Sequence, residues 1–321
     1  MDTPPIFSRE EQESILKMKT TSLFQLNDSN IKLCIKIYLK GGPQYNLPVT
    51  LRGAIISKWN VSEVTNMSGL FANTDFNENI SDWDVSKVKD MSYMFKNCKK
   101  FNKPLDWSYK LTKVTTMEGM FSECVEFNQP LTGWNVSKVS SMNDMFRGCT
   151  NFNQPLDNWI GVDNVINVEY MFYGCTNFNQ PLSSWFQKPP KNIERKILPR
   201  KMEGMFYKCT NFKQDLSTWN IQDDDSTEYI FADTNMLCCL KGEGELKEKK
   251  YSWMKKDYTY YCAREETYND DFHPEGGKQT KTRKLKTRKL KTRKLKTRKL
   301  KTRKLKTRKL KTRKLKTRKT N

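Results

Sequence analysis

A tryptophan that recurs at nearly regular intervals is the feature that most limits what this chain can fold into. It stands at Trp59, Trp83, Trp107, Trp134, Trp159, Trp185 and Trp219. A phenylalanine recurs with it. The interval from that phenylalanine to the next tryptophan is always 12 or 13 residues, whereas the other interval varies from 12 to 21. Such internal periodicity is typical of stacked repeats, in which insertions are confined to one loop per repeat.

Two apolar periods inside each repeat predict its secondary structure. Trp134 and Val136 alternate in the manner of a short strand with one buried face. Val139, Met142 and Phe146 follow with the three- to four-residue spacing of a helical turn. A residue able to cap that turn precedes it at Ser62, Ser86, Thr112, Ser137 or Asp163. The sequence therefore predicts an α/β solenoid of about seven rungs, each with a short parallel strand and a helical turn.

The wording of the repeat, MFxxCxxFNxPLxxWxVSxV, resembles the BspA-type leucine-rich repeat. That family is found in bacterial surface lipoproteins and in proteins of large DNA viruses. The resemblance covers about residues 51–235 and implies a curved leucine-rich-repeat-like solenoid with interaction roles. It supplies no catalytic residues. The first residues, MDTPPIFSREEQESILKMK, lack the basic start and apolar core of a secretory signal and hold no cysteine, so we expect neither a signal peptide nor a lipid anchor, in contrast to the lipoprotein members.

Composition divides the chain into four predicted parts. Residues 1–50 form an N-terminal segment, 51–240 the repeats, 241–275 a C-terminal cap or linker, and 276–321 a disordered Lys/Arg-rich tail. A helix is predicted over residues 30–40, where Ile31, Cys34, Ile35 and Tyr38 share one face. We expect this helix to cap the open end of the repeats; a helix lying on a membrane surface is the alternative. Ser8-Arg9-Glu10-Glu11 predicts a capped start to an earlier short helix.

The tail accounts for the positive charge of the chain. Residues 281–321 hold 24 basic and no acidic residues, so of the 58 basic residues 34 remain elsewhere, against 36 acidic ones. Eight copies of Lys-Thr-Arg-Lys predict binding to polyanions through phosphate neutralisation. The first residues of this site are Lys281, Arg283, Lys284, Lys286, Arg288 and Lys289. The tail also resembles a nuclear-import signal; the alternative is a repeat-expansion remnant that only maintains solubility.

Two further surfaces are candidate binding sites. By analogy with leucine-rich solenoids, the residue after the tryptophan should line a concave partner-binding face. This column comprises Asn60, Asp84, Ser108, Asn135 and Asn220. A basic loop of about nine extra residues interrupts the sixth repeat, and it is either functional or a tolerated insertion. Its cations are Lys188, Lys191, Arg195, Lys196, Arg200 and Lys201.

Two more columns predict internal ladders. A cysteine three residues after the phenylalanine occurs at Cys98, Cys124, Cys149, Cys175 and Cys209. We expect buried free thiols there, with inter-repeat disulfides or a metal site as alternatives. An asparagine column occurs at Asn77, Asn102, Asn128, Asn153 and Asn179. We expect these amides to satisfy backbone groups in a turn, with ligand binding as the alternative.

No pattern of residues predicts catalysis. The single histidine, His273, leaves no Ser/His/Asp or Cys/His constellation, and its spacing from Cys238, Cys239 and Cys262 fits no standard zinc site. We expect no cofactor, no membrane span, a monomer, and a cytoplasmic or nuclear location. The leading hypothesis is a protein-interaction scaffold with an unknown protein partner and a polyanion-binding tail. The alternatives are a nucleic-acid adaptor that acts through the tail, and a surface adhesin.

Overall fold

The computed structural model describes residues 7–20, 24–40, 46–187, 200–216, 218–221 and 225–234. The chain divides into two units, Met1–Arg264 and Glu265–Asn321, and all the described residues belong to the first. Helix α1 is Arg9–Thr20 and helix α2 is Ile31–Leu39; short 3-10 turns occur at Val49–Leu51, Ile56–Lys58 and Val162–Asn164. The predicted parts 241–275 and 276–321 lie outside the described residues.

The predicted fold class is wrong for the part of the chain that the structure describes. The repeats contain neither a β-strand nor an α-helix there, so a leucine-rich-repeat-like α/β solenoid of parallel strands and helical turns is not observed. Parallel pairing is limited to isolated single-residue bridges. One bridge column joins Asn66, Asp90, Thr116, Ser141, Asn167, Lys201 and Ser226 in order, and a separate bridge joins Asn135 to Ile160.

The segment predicted to be a helical turn is a succession of tight turns. Phe95 N–H donates to the Met120 carbonyl of the next repeat (2.9 Å), whereas Met94 N–H turns back to the Met91 carbonyl of its own repeat (3.3 Å). Tyr93 has a φ of 57°, in the left-handed region that α-helices and strands both exclude. The apolar residues therefore keep a helix-like spacing because successive turns return them to the same side. The prediction failed because this spacing is common to both geometries.

The segment predicted to be a strand keeps its alternation but not its hydrogen-bond ladder. Trp134 and Val136 are buried and Asn135 between them is half-buried. The Asn135 side chain then accepts a hydrogen bond from Ser137 N–H (3.1 Å), and Val139 N–H closes a turn on the Val136 carbonyl (2.9 Å). Because these local bonds bend the chain at once, pairing with a neighbouring repeat does not propagate.

Aromatic columns form the core between successive repeats. All seven recurring tryptophans are buried, with at most 6% of their surface exposed, as the alternation of Trp134 and Val136 predicted for one face of each repeat. The first phenylalanine of each repeat stacks on the next, with ring centroids 5.5–5.7 Å apart, at Phe71, Phe95, Phe121, Phe146, Phe172, Phe206 and Phe231. A second phenylalanine column repeats every 5.8–6.0 Å. Aromatic pairs of this kind contribute about 0.5–1.5 kcal/mol each beyond their burial.

The two helices pack at the N-terminal end of the repeats. Helix α1 begins with a reciprocal cap, in which Ser8 N–H donates to Glu11 Oε2 (2.8 Å) and Glu11 N–H to Ser8 Oγ (3.2 Å). Helix α2 forms where a helix was predicted. Ile31, Cys34 and Ile35 are buried as predicted, whereas Tyr38 is only half-buried and Ile37, which was not predicted, is buried. The Tyr38 ring meets Trp59 edge-on, with centroids 5.4 Å apart.

Asp28 closes this end of the stack in place of a preceding repeat. In the second repeat, Lys89 N–H donates to the Thr65 carbonyl of the first repeat (2.7 Å). In the first repeat the Asp28 carboxylate takes that role and accepts from Thr65 N–H (2.7 Å), Asn66 N–H (2.9 Å) and the Thr65 hydroxyl (2.6 Å). Burial opposes ionisation of Asp28, yet these hydrogen bonds outweigh it and lower its pKa.

Candidate interaction surfaces

The predicted partner-binding column lies at the surface, and its side chains also build turns. Asn60 and Asp84 are exposed, and Ser108, Asn135 and Asn220 are half-buried. The Oδ1 atoms of Asn60 and Asp84 accept hydrogen bonds from the backbone N–H two residues on, at 3.1 and 3.0 Å, as Asn135 does. A short side-chain acceptor is therefore needed at these positions for folding. Binding of a partner by this column stays a prediction.

The environment of Asp84 favours the ionised form of its carboxylate. Hydrogen bonds from the Ser86 side chain and backbone lower its pKa, and the positive charges of Lys110 and Lys87 add to the effect. The column therefore combines a carboxylate with nearby lysines, so a partner would meet both charges close together.

Two exposed apolar side chains near this column were missed by the sequence analysis. Tyr109 is 75% exposed and Ile160 is 56% exposed. Tyr109 belongs to a two-residue insertion after Trp107, and Leu111 takes the buried place that Val85 occupies in the second repeat. The signal was present in the sequence, because the Trp-to-Phe interval of this repeat is 14 residues where that of the second is 12.

Only the last two cations of the predicted basic loop lie in the described residues. Lys201 is exposed and belongs to the bridge column. Arg200 is buried, so its charge is not presented at the surface. Its guanidinium lies over the Phe186 ring, 4.6 Å from the centroid, and donates to the Asp163 carbonyl (3.4 Å). Lys188, Lys191, Arg195 and Lys196 lie outside the described residues.

Asp163 holds both ends of this insertion. Gln187 N–H, on the entering side, donates to Asp163 Oδ1 (3.1 Å), and the Arg200 guanidinium, on the returning side, donates to the Asp163 carbonyl. Arg200 N–H in turn donates to the buried Asp225 carboxylate (2.6 Å). The insertion therefore starts and ends at fixed points of the repeat framework.

The cysteine column consists of buried free thiols, as predicted. Each thiol donates to the carbonyl of the first phenylalanine in the preceding repeat; Cys149 Sγ lies 2.9 Å from the Phe121 oxygen and Cys209 Sγ 2.7 Å from the Phe172 oxygen. Burial raises the pKa of the Cys149 thiol well above its usual range. Within the described ranges no group of side chains is arranged to hold a metal ion. The thiols therefore act as small buried donors.

The asparagine column is an amide ladder, as predicted. The Asn102 side-chain oxygen accepts from Asn128 N–H (3.0 Å), and the Asn128 oxygen accepts from Asn153 N–H (3.0 Å). A glutamine amide from the following repeat shares the same oxygen, as Gln129 does with Asn102 at 2.9 Å. These contacts connect neighbouring repeats along one edge.

A tyrosine–glutamate face was not predicted. The Tyr170 hydroxyl donates to Glu203 Oε1 in the next repeat (2.7 Å), and the Tyr93 hydroxyl donates to Glu118 in the same way. Burial raises the pKa of Glu169, and the nearby Glu203 charge contributes. The signal was a repeat with Tyr-Met-Phe followed directly by one with Glu-Gly-Met-Phe, which occurs twice, at 93–95 with 118–121 and at 170–172 with 203–206.

These surfaces define a stacked-repeat protein whose exposed columns vary from one repeat to the next. The chain belongs to the family described as "Mycoplasma protein of unknown function, DUF285", whose model matches residues 50–110, 107–198 and 198–239. The three matches together span more than half of the chain and confirm its repeat character. No curated protein and no solved structure matches it. No helix within the described residues has the length and apolar content needed to cross a membrane.

Proposed function

We propose that this protein is a non-enzymatic interaction scaffold in which stacked repeats bind a protein partner and the Lys/Arg-rich tail adds affinity for nucleic acid or another polyanion. The observation that carries the proposal is that each repeat buries its recurring side chains and exposes its variable ones. Side chains that recur in every unit, such as Trp134 and Phe146, are buried between repeats. Side chains that change from unit to unit, such as Asp84 and Asn135, stand at the surface.

This division suits recognition rather than chemistry. A repeated core fixes the position of each surface column, while the exposed residues vary in charge among the short acceptors that their turns need. The repeat sequence further supports a relation to the BspA-type repeat proteins. This relation concerns the sequence alone, because the strand and helical turn expected in each repeat are not observed. The composition of residues 281–321 supports the polyanion component.

The experiment separates the repeats from the tail. Asp84→Asn and Asn135→Asp together keep the acceptor atoms that bond Ser86 and Ser137, but they change the charges of the column. Full-length protein, this pair and a deletion of residues 276–321 are compared by quantitative pull-down. We expect the pair to lose protein partners and the deletion to lose polyanions.

A matched control makes the same two chemical changes away from the column, with Asp106→Asn and Asn151→Asp, both at exposed positions. This control should retain every partner. If the deletion alone removes all partners, the chain is a nucleic-acid adaptor that acts through its tail. If neither the column pair nor the deletion changes binding, the scaffold proposal is wrong.

A further inference from the structure

Three lysines occupy the same place in consecutive repeats and form a row on the surface. The lysine row is Lys87, Lys113 and Lys138, and each stands three residues before the residue that forms the parallel bridge of its repeat. Each lies in a turn closed by a backbone hydrogen bond of 2.9–3.1 Å. The first phenylalanines of these three repeats, Phe95, Phe121 and Phe146, stack with ring centroids 5.6 Å apart. The row therefore presents positive charges at a short, regular spacing.

The charge of the row is least compensated in its last two members. Glu63 holds the same place in the first repeat and forms an ion pair with Lys87 (2.6 Å). Lys113 and Lys138 are exposed and form no ion pair within the described ranges. Lys89, two residues after Lys87, is also exposed. An anionic ligand would thus meet free positive charges in the third and fourth repeats.

Tyr109 stands four residues before Lys113 and displays its ring to solvent. At 75% exposure it is the most exposed large apolar side chain of the described residues. Lys110 Nζ lies 5.6 Å from the ring centroid and donates to the carbonyls of Trp83 (3.0 Å) and Ser81 (3.4 Å) in the preceding repeat. These bonds fix the inserted turn that carries the tyrosine. The ring contributes nothing to the buried core.

We infer that Tyr109 and the lysine row form a binding site for single-stranded nucleic acid on the second to fourth repeats. Proteins bind single strands by combining a track of positive charge for the phosphates with exposed aromatic rings on which unpaired bases stack. A duplex can satisfy the lysines, but its base faces are hidden from the tyrosine. The site is separate from the tail, to which the proposed function assigns affinity for polyanions, and it does not depend on tail binding.

The first test compares a short oligothymidylate with a duplex of equal length, by fluorescence anisotropy on the full-length protein. Tyr109→Ala should weaken single-strand binding by about fivefold or more, because one stacked base is lost. It should leave duplex binding unchanged, because a duplex hides its base faces from the ring and is held through its phosphates alone. Equal binding of the single strand by both proteins, or an equal loss for both nucleic acids, overturns the inference.

The second test concerns the lysine row. The affinity for the oligothymidylate falls as the salt concentration rises. Replacing both residues, Lys113→Gln with Lys138→Gln, should make the plot of log affinity against log salt less steep by about 1.4, since each lost phosphate contact accounts for about 0.7. Lys99→Gln with Lys213→Gln removes the same charge from exposed positions on other columns and should leave the slope unchanged. An equal effect of both pairs would show that net charge alone is responsible.

The third test locates the bound strand directly. Ultraviolet crosslinking of the oligothymidylate to the full-length protein, followed by peptide mass spectrometry, should give an adduct at or next to Tyr109. A polyglutamate competitor should displace less oligothymidylate than an equal charge of unlabelled oligothymidylate. Adducts confined to residues 281–321 would overturn the site on the repeats and leave the tail as the nucleic-acid-binding element. Equally strong competition by polyglutamate would instead indicate an acidic protein ligand.

Discussion

The ring of Tyr93 lies directly over Gly119 of the next repeat, so that a Cβ atom at Gly119 would stand 2.5 Å from ring carbons Cδ1 and Cε1. The same relationship joins Tyr170 to Gly204, with a closest approach of 2.4 Å. In both pairs the tyrosine hydroxyl reaches past the glycine to the preceding glutamate. A glycine in one repeat is therefore required by a tyrosine in the repeat before it.

The Tyr93–Gly119 contact predicts that Gly119→Ala destabilises the protein strongly. Gly119 has a φ of +53°, and its Cβ would also collide with the ring. A left-handed alanine costs about 1–2 kcal/mol, and overpacking adds about 1–3 kcal/mol. We expect a total loss of about 3 kcal/mol in the free energy of unfolding, measured by denaturant titration with tryptophan fluorescence.

Gly69→Ala is the matched control for this prediction. Gly69 has a φ of +63° and nothing within 4 Å of its Cβ position, so only the backbone term of about 1–2 kcal/mol applies. Adding Tyr93→Ala to Gly119→Ala should recover part of the loss, since the collision is removed. Equal destabilisation by Gly69→Ala and Gly119→Ala would contradict the role of the ring.

Side-chain columns could be predicted from the sequence because each depends only on spacing along the chain. The buried Trp134, the free thiol of Cys149 and the amide ladder at Asn128 were all predicted from intervals between like residues. Stacking turns equal intervals into spatial neighbours whatever path the backbone takes between them.

The backbone path itself could not be predicted from those intervals. The spacing of Val139, Met142 and Phe146 fits a helical turn as well as the observed turns. The deciding feature is the left-handed conformation of non-glycine residues such as Tyr93 and Asp144, which no local pattern specifies. The Tyr–Gly contact is also invisible until the register between repeats is known. The exposure of Tyr109 was missed because a strand was predicted to continue through Trp107, where the chain instead makes an inserted turn.

Asp28 predicts a pH-dependent stability of the N-terminal end. Its folded pKa is lowered from 3.8, so its contribution is complete above that pH and is lost as the pH falls through the folded pKa. Because Asp28 is exposed, solvent screening limits the contribution to about 1 kcal/mol. Asp28→Asn should therefore destabilise the protein at neutral pH but not in strong acid. Urea titrations at both pH values measure the difference in the free energy of unfolding between the unsubstituted protein and Asp28→Asn. A difference that is no smaller in acid would contradict this role.

The thiol column predicts that its cysteines are protected from alkylation in the folded protein. Cys124, Cys149 and Cys175 are buried, and burial raises the pKa of each thiol well above its usual range. Since the thiolate is the reactive form, iodoacetamide at neutral pH should leave these residues unmodified until denaturant is added. Peptide mass spectrometry resolves each site. Modification of Cys149 in the native protein would show that the column opens to solvent.

The tryptophan column predicts a large loss of stability when one ring is removed from the middle of the stack. Trp159 lies between Trp134 and Trp185, with ring centroids 5.8 Å from each, and its indole N–H donates to the Leu131 carbonyl (2.8 Å). Trp159→Ala should lower the free energy of unfolding by about 3–5 kcal/mol, because it leaves a cavity, and it also frees a buried carbonyl. Ile160→Ala, at the exposed neighbouring position, is the control and should change stability by less than about 0.5 kcal/mol. Denaturant titration followed by circular dichroism compares the two variants. A loss for Trp159→Ala no greater than that for Ile160→Ala would mean that the stacked rings do not hold neighbouring repeats together.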